Sequence, residues 1–247
     1  MDARGDGAAE AGKTSIASSP SPQPSPCVRG EGARITAMSR YDYLRDPTAI
    51  YERSFALIEA EADLARFPTD MRPVALRLAH AAGDTSILAD LVWSENAVAA
   101  GERALAAGAP ILVDSRMVAA GIIGGRLPGK TDIVCTLGDP ETAELAQALK
   151  TTRSAAAVEL WRPHLDGAVV AIGNAPTALF YLLEMIAGGA AKPALVLGFP
   201  VGFVGAAEAK AALAGFGGRL EFIALRGRRG GSALAAAAVN ALAGAKP

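Results

Sequence analysis

The stretch Ala168–Gly205 reads AVVAIGNAPTALFYLLEMIAGGAAKPALVLGFPVGFVG, and the order of its patterns decides the fold. An apolar run, Ala168-Val169-Val170-Ala171-Ile172, breaks at Gly173-Asn174-Ala175-Pro176 and passes into a helix-like segment over 175–187. A second β-rich run follows, Ala194-Leu195-Val196-Leu197. Short apolar runs without polar alternation suit strands covered on both faces. Strand, helix and strand in this order form a right-handed βαβ unit with parallel strands.

The alternation extends outward from this unit. Ile111-Leu112-Val113, Ile133-Val134-Cys135 and Phe222-Ile223-Ala224-Leu225 are further β-rich runs, and helix-like segments lie around 141–149, 152–162 and 204–214. An Ala-rich helix over 232–243 closes the pattern. From Asp46 to Ala107 the periodicity is helical, with Ile50, Phe55, Ile58 and Leu64 and then Val74, Leu76 and Leu78 marking three or four helices. The expectation is an α/β, Rossmann-like three-layer fold with a mainly parallel sheet of about five strands and an N-terminal helical portion.

A chain of 247 residues is long enough for one well-filled α/β domain. Its 51% hydrophobic but only 5% aromatic content suits close-packed helices on a sheet better than a base-stacking module, and a net charge of -1 argues against a nucleic-acid partner. Cys27 and Cys135 have neither zinc nor disulfide-framework spacing, which points to a reducing cytoplasm. No apolar segment approaches the length of a bilayer span, so no membrane partner is expected.

Residues 1–37 differ in character. Pro/Ser clusters such as Ser18-Ser19-Pro20-Ser21-Pro22 bury too little apolar area to offset ordering, so this leader is expected to be disordered. Gly7 to Thr14 fits the Walker A pattern, yet no apolar strand precedes it, and the fit is read as chance in an Ala/Gly-rich segment. Met38 is the expected native start, with 38–247 as the domain and 1–37 an over-long gene start.

In open α/β sheets ligands sit beyond the carboxyl ends of the strands. Those ends read Asp114-Ser115-Arg116, Gly173-Asn174-Ala175-Pro176-Thr177, Gly198 to Gly205, and Arg226-Gly227-Arg228-Arg229-Gly230-Gly231-Ser232. Asn174 is placed to cap the helix after it, and the last loop gathers basic side chains and helix N–H groups suited to anions. None of these loops is G-x-G-x-x-G, so dinucleotide binding is not supported.

The chain has two histidines, His80 and His164. His80 lies near a helix end in Arg77-Leu78-Ala79-His80-Ala81, and the i, i+3 spacing puts Arg77 and His80 on one face. That pair reads either as a proton donor beside an anion-binding guanidinium or as a histidine favoured at a helix C-terminus by the dipole. His164, after Pro163, reads as a surface residue. Thr152-Arg153 starts a helix, where the threonine caps and Arg153 either reaches ligand or is solvated. Ser54 lies on an apolar helix and either contacts ligand or fills space. No Ser–His–acid pattern and no metal-ligand spacing is present in the sequence.

Several strings together resemble the precorrin-8X methylmutase family: Tyr41-Asp42-Tyr43, Ala49-Ile50-Tyr51-Glu52-Arg53-Ser54-Phe55, Arg77-x-x-His80-Ala81, Thr152-Arg153-Ser154-Ala155-Ala156, Ile172 to Leu179, Pro200 to Lys210 and Gly227-x-x-Gly230-Gly231-Ser232. They keep the family's order from about Tyr41 to Leu242. The resemblance implies an isomerase of cobalamin biosynthesis that moves a methyl group from C-11 to C-12 of precorrin-8X by a 1,5-sigmatropic shift, giving hydrogenobyrinic acid. It implies no methyl donor, redox cofactor or metal. His80 is then the proton donor to a ring nitrogen, and Ser54, Arg77 and Arg153 contact substrate, with Asn174 and Arg228 at the strand ends as further contacts. Phe199 and Phe203 are expected to cover the macrocycle. The resemblance also implies a homodimer with active sites by the interface. The alternatives are action on cobalt-precorrin-8 and a non-catalytic tetrapyrrole carrier.

Overall fold

Leu91-Val92-Trp93 forms a strand that the helical reading of 46–107 does not contain, and it completes a six-stranded sheet. The computed structural model describes residues 41–128, 131–216 and 220–244; the leader, its Walker A string, Met38 and Cys27 lie outside them. From Leu44 onward the chain forms one unit.

Three helices surround the first strand. Asp46 caps α1 (Pro47–Glu61), its Oδ1 accepting the Ala49 N–H at 2.7 Å, and Pro47 opens the first turn where its missing N–H costs nothing. α2 (Arg72–Ala82) ends at Gly83, whose φ of 62° is the left-handed cap that favours glycine. A 3₁₀ turn, Thr85–Asp90, leads into β1 (Leu91–Trp93), followed by α3 (Ala97–Ala106).

The remainder follows the alternation read from the sequence. β2 (Ile111–Val113), α4 (Arg116–Gly121), β3 (Ile133–Val134), α5 (Pro140–Ala148), α6 (Arg153–Glu159), β4 (Val169–Ile172), α7 (Pro176–Ala187), β5 (Leu195–Gly198), α8 (Ala206–Ala214), β6 (Phe222–Leu225) and α9 (Ser232–Leu242) run in order. The strand order is β1-β6-β5-β4-β2-β3, with β1 antiparallel to β6 and all other pairs parallel. Leu91 faces Leu225 and Trp93 faces Ile223, so β1 closes the edge that β6 would leave open.

Strand residues alternate between two apolar layers. Ile111, Val113, Val169, Ala171, Leu195, Leu197, Ile223 and Leu225 join residues of α1, α2, α3, α4 and α9. Leu112, Val170, Ile172, Val196 and Ala224 point the other way, onto α6, α7 and α8. Strand periodicity of two thus builds both interfaces of a three-layer fold from the same runs. Gly173 lets α9 cross tightly above β4: a Cβ there would lie 2.7 Å from Ser232 Cα and 2.9 Å from Ala235 Cβ. Among the described residues no helix is long and apolar enough to cross a membrane.

The strand order also fixes where a ligand fits. From β2 the chain moves outward to β3, then returns to the other side of β2 as β4 and continues to β5. Adjacent β2 and β4 therefore send their connections in opposite directions, which opens a crevice at their carboxyl ends.

Candidate active site

Three groups of residues occupy that end of the sheet. The first lies where α1 meets α2. Ser54 Oγ is 2.9 Å from Nδ1 of His80, and the imidazole stacks on Phe55 with ring centroids 5.1 Å apart and planes at 20°. Tyr51 approaches the same imidazole at 5.8 Å. One turn earlier on α2, Arg77 is buried, 8% exposed, and donates to the Tyr51 hydroxyl at 2.6 Å. Its guanidinium carbon also sits 5.9 Å from the Tyr51 ring and 6.0 Å from the Phe55 ring. The helical spacing of Tyr51, Ser54 and Phe55 on one face of α1 meets the Arg77/His80 face of α2.

This arrangement fixes the imidazole at one nitrogen and by its plane. His80 itself is exposed, and its Nε2 bonds to no described residue. A serine hydroxyl both donates and accepts, so it holds Nδ1 whether or not that nitrogen carries a proton. His80 lies in the last turn of α2, and three residues beyond it Gly83 turns the chain into Asp84, which pairs with Arg229 in the loop after β6. That pairing places the His80 end of α2 beside the carboxyl ends of the strands.

The second group lines the crevice between β2 and β4. Ser115, Arg116, Met117, Leu137, Gly138, Arg153 and Asn174 surround a cavity of about 570 Å³. Arg153 donates to the Leu137 carbonyl at 3.1 Å, and no described carboxylate pairs with Arg153 or Arg116. Two guanidiniums around one open space, neither in an ion pair among the described residues, make it suited to carboxylates. Thr152 caps α6 as the sequence indicates, its Oγ1 accepting the Ala155 N–H at 3.2 Å.

Asn174 does not cap α7. The Gly173, Asn174 and Ala175 N–H groups donate instead to the carboxylate of Asp114, at 2.9, 2.9 and 2.7 Å. Asp114, at the end of neighbouring β2, thus reaches across to hold the turn that leads into α7, whose first turn has no side-chain cap, and the Asn174 side chain lines the cavity. Burial pushes the Asp114 carboxyl above its ordinary pKa, and the three N–H groups pull against that rise.

The third group is a pair of clasped loops. Gly231 N–H donates to Phe199 O at 2.8 Å and Gly202 N–H to Arg228 O at 3.2 Å, joining the β5–α8 and β6–α9 loops. The Arg228 guanidinium lies 5.3 Å from the centre of the Phe203 ring. Phe203 is 84% exposed, whereas Phe199 is fully buried in the core and cannot cover a ligand, contrary to the sequence expectation. His164 is exposed, as its place after Pro163 suggests.

The sequence reading therefore named residues from all three groups, and the structure gathers Ser54 with Arg77 and His80, Arg153 with Asn174, and Arg228 with Phe203. It missed Arg116, whose position in the strand-end string Asp114-Ser115-Arg116 was the available signal, and the partners Tyr51 and Asp114.

The family model for precorrin-8X methylmutase matches residues 49–245. The chain belongs to the precorrin-8X methylmutase family. It is 58% identical over 202 residues to a precorrin-8X methylmutase of Pseudomonas aeruginosa, covering 82% of this chain and 97% of that protein. It is 36% identical over 197 residues to a cobalt-precorrin-8 methylmutase of Priestia megaterium, covering 79% of this chain and 87% of that one. A crystal structure of the precorrin-8X methylmutase from Thermus thermophilus superposes with a TM-score of 0.72 at 45% identity, covering 79% of this chain and 94% of that chain. The two chains thus share this fold.

Proposed function

We propose that this chain converts precorrin-8X into hydrogenobyrinic acid by moving the methyl group from C-11 to C-12, with His80 as the acid. The observation that carries this reading is the Ser54–His80 pair, which holds Nδ1 at 2.9 Å on an exposed histidine whose Nε2 bonds to no described residue. In the protonated ring Nδ1–H donates to Ser54 Oγ while Nε2–H is presented to a ring nitrogen of the substrate. Transfer of that proton withdraws electron density from the conjugated system. The C-11 to methyl bond then breaks as the C-12 to methyl bond forms, and the proton returns to Nε2. Nothing is gained or lost overall, as an isomerisation requires. Acid assistance contributes about 10²–10⁴ in rate, and holding the macrocycle in a reactive shape contributes the rest.

The acetate and propionate arms of the substrate match the basic surroundings. Arg153, Asn174 and the newly located Arg116 take one carboxylate in the β2–β4 crevice, and Arg228 takes another beside Phe203. Buried Arg77 acts through Tyr51 and the local positive charge. Precorrin-8X is favoured over cobalt-precorrin-8 by the higher identity to the precorrin-8X methylmutase of Pseudomonas aeruginosa than to the cobalt-precorrin-8 methylmutase of Priestia megaterium, 58% against 36%. We further propose a homodimer with the site near its interface, since Phe203 and Val204 stand 84% and 89% exposed on the loop next to Arg228.

Incubation of the full chain with precorrin-8X, followed by absorbance, tests the reading. The orange corrin product is expected for wild type and strongly slowed for His80→Ala. A spectral shift without product identifies a carrier, and faster conversion of cobalt-precorrin-8 assigns the other substrate. Sedimentation at micromolar concentration tests the dimer.

A further inference from the structure

Arg229 follows one of the residues the sequence reading assigns to substrate, yet both terminal nitrogens of its side chain, which is 46% exposed, bond within the protein. One terminal nitrogen donates to Asp84 Oδ2 at 3.0 Å and to Ser86 Oγ at 2.9 Å; the other donates to Asp90 Oδ2 at 2.8 Å and to the Ser86 carbonyl at 3.5 Å. Hydrogen bonds from Ser86, reinforced by Arg229, hold Asp84 below its ordinary pKa. Two carboxylates pair with this guanidinium from within the protein, which sets it apart from Arg228, for which no described carboxylate forms an ion pair.

The backbone of Arg229 is held as firmly as its side chain. Lys210, 1% exposed, reaches from α8 to donate to the Arg229 carbonyl at 2.6 Å. The next residue, Gly230, has no room for a Cβ, which would lie 2.5 Å from Pro200 O. Arg226 N–H donates to Asp90 O at 2.9 Å, fastening the start of the same loop to the end of the 3₁₀ turn.

These contacts connect two parts of the site that no described hydrogen bond joins directly. On one side, Gly83 N–H donates to the His80 carbonyl at 3.3 Å, and the residue after Gly83 is Asp84, the first carboxylate that Arg229 grips. On the other, the residue before Arg229 is Arg228, which lies over Phe203. We propose that Arg229 is a positioning residue that clamps the His80 end of α2 to the loop presenting Arg228 and Phe203. The proposal rests on the reading of His80 as the acid. It follows that Arg228 and Arg229, adjacent and identical in type, do different work: one faces ligand and the other fixes the distance between the acid and the loop that holds the macrocycle.

The test compares Arg229→Met, Arg229→Lys and Asp84→Asn in the full-length chain. Arg229→Met is expected to lower kcat for precorrin-8X at least tenfold while hydrogenobyrinic acid affinity changes less than threefold and the unfolding midpoint stays near wild type. Arg229→Lys should recover part of the loss. Asp84→Asn should reproduce part of it, and combining it with Arg229→Met should add little. ¹⁵N-histidine NMR supplies a readout independent of turnover: His80 ring signals should shift and broaden in Arg229→Met while those of His164 stay in place. Unchanged kcat with unchanged His80 signals overturns the clamp, as does a loss that tracks only the fraction unfolded or falls entirely on affinity. Absence of turnover in wild type defeats the proposed reaction instead, and the His80 spectrum then still decides the clamp.

Discussion

The Ser54 hydroxyl holds Nδ1 of His80 at 2.9 Å from a neighbouring helix, so the orientation of the imidazole is set by α1 although the residue belongs to α2. Phe55, one residue further along α1, sets the plane of the ring from the same helix.

Ser54→Ala should therefore slow turnover without abolishing it. A hydrogen bond of this kind contributes about 1 kcal/mol, or roughly a fivefold change in kcat. His80→Ala should cost about 10²–10⁴. The double variant should be no slower than His80→Ala, because the serine then has nothing to orient. Steady-state conversion of precorrin-8X measures all three, and additive losses would mean that Ser54 acts independently of His80.

Removal of either guanidinium in the β2–β4 crevice should appear in KM. Charge-assisted hydrogen bonds contribute about 1.5–3 kcal/mol, so Arg116→Met and Arg153→Met should each raise KM about ten- to a hundredfold with a smaller effect on kcat. Titration with hydrogenobyrinic acid checks the affinity directly. Normal binding by both variants would remove the crevice from the substrate site.

Gly138→Ala should imitate Arg116→Met at little structural cost. A Cβ at Gly138 would lie 2.5 Å from a terminal nitrogen of Arg116, the mobile end of a long side chain that can swing away. Stability should change by less than about 1 kcal/mol, while KM rises as in the arginine variant. Urea unfolding and steady-state kinetics together test this; an unchanged KM would show that the position of Arg116 is unimportant.

Gly230→Ala meets rigid neighbours instead. Its Cβ would overlap the Phe199 carbonyl oxygen, which belongs to backbone packed in the core, and crowd Pro200. A loss of about 2–4 kcal/mol in urea unfolding is expected, typical of forced overlap at a special position. A loss below about 1 kcal/mol would show that the clasped loops adjust freely.

Burial lowers the pKa of Lys210 from its ordinary 10.5 to about 8. Below pH 8 both folded and unfolded chains carry the proton, and the folded state bears the cost of a buried charge. Between about 8 and 10.5 the unfolded chain binds more protons, so the lysine's contribution to stability improves as pH rises through this window. The stability of wild type minus that of Lys210→Met should thus increase by about 2–3 kcal/mol from pH 7 to 10. A flat difference would mean that Lys210 titrates normally.

Much of the scaffold was legible in the chain because parallel strands buried on both faces leave uninterrupted apolar runs. Ala168–Ile172 and Ala194–Leu197 announced β4 and β5, and the periodic segment between them announced α7. β1 was not legible. Leu91–Trp93 spans three residues between helices, too few to show a period, and it becomes a strand only because β6 offers an unpaired edge.

The sequence by itself determined the α/β class, the loops at the strand ends, and the candidate residue types: a histidine and arginine one turn apart, a capping threonine before Arg153, and glycines where loops meet closely. Their family order along the chain made His80 the candidate acid. Only tertiary structure decided the partnerships, because these depend on residues far apart in sequence meeting at a specific distance. It gave Ser54 to His80, Asp114 to the backbone N–H groups of Gly173, Asn174 and Ala175, and Asp84 and Asp90 to Arg229. It also buried Phe199 and exposed Phe203, four residues apart in one loop. Residue type sets which interactions are possible; the packing of two helical layers on a twisted sheet selects those that form.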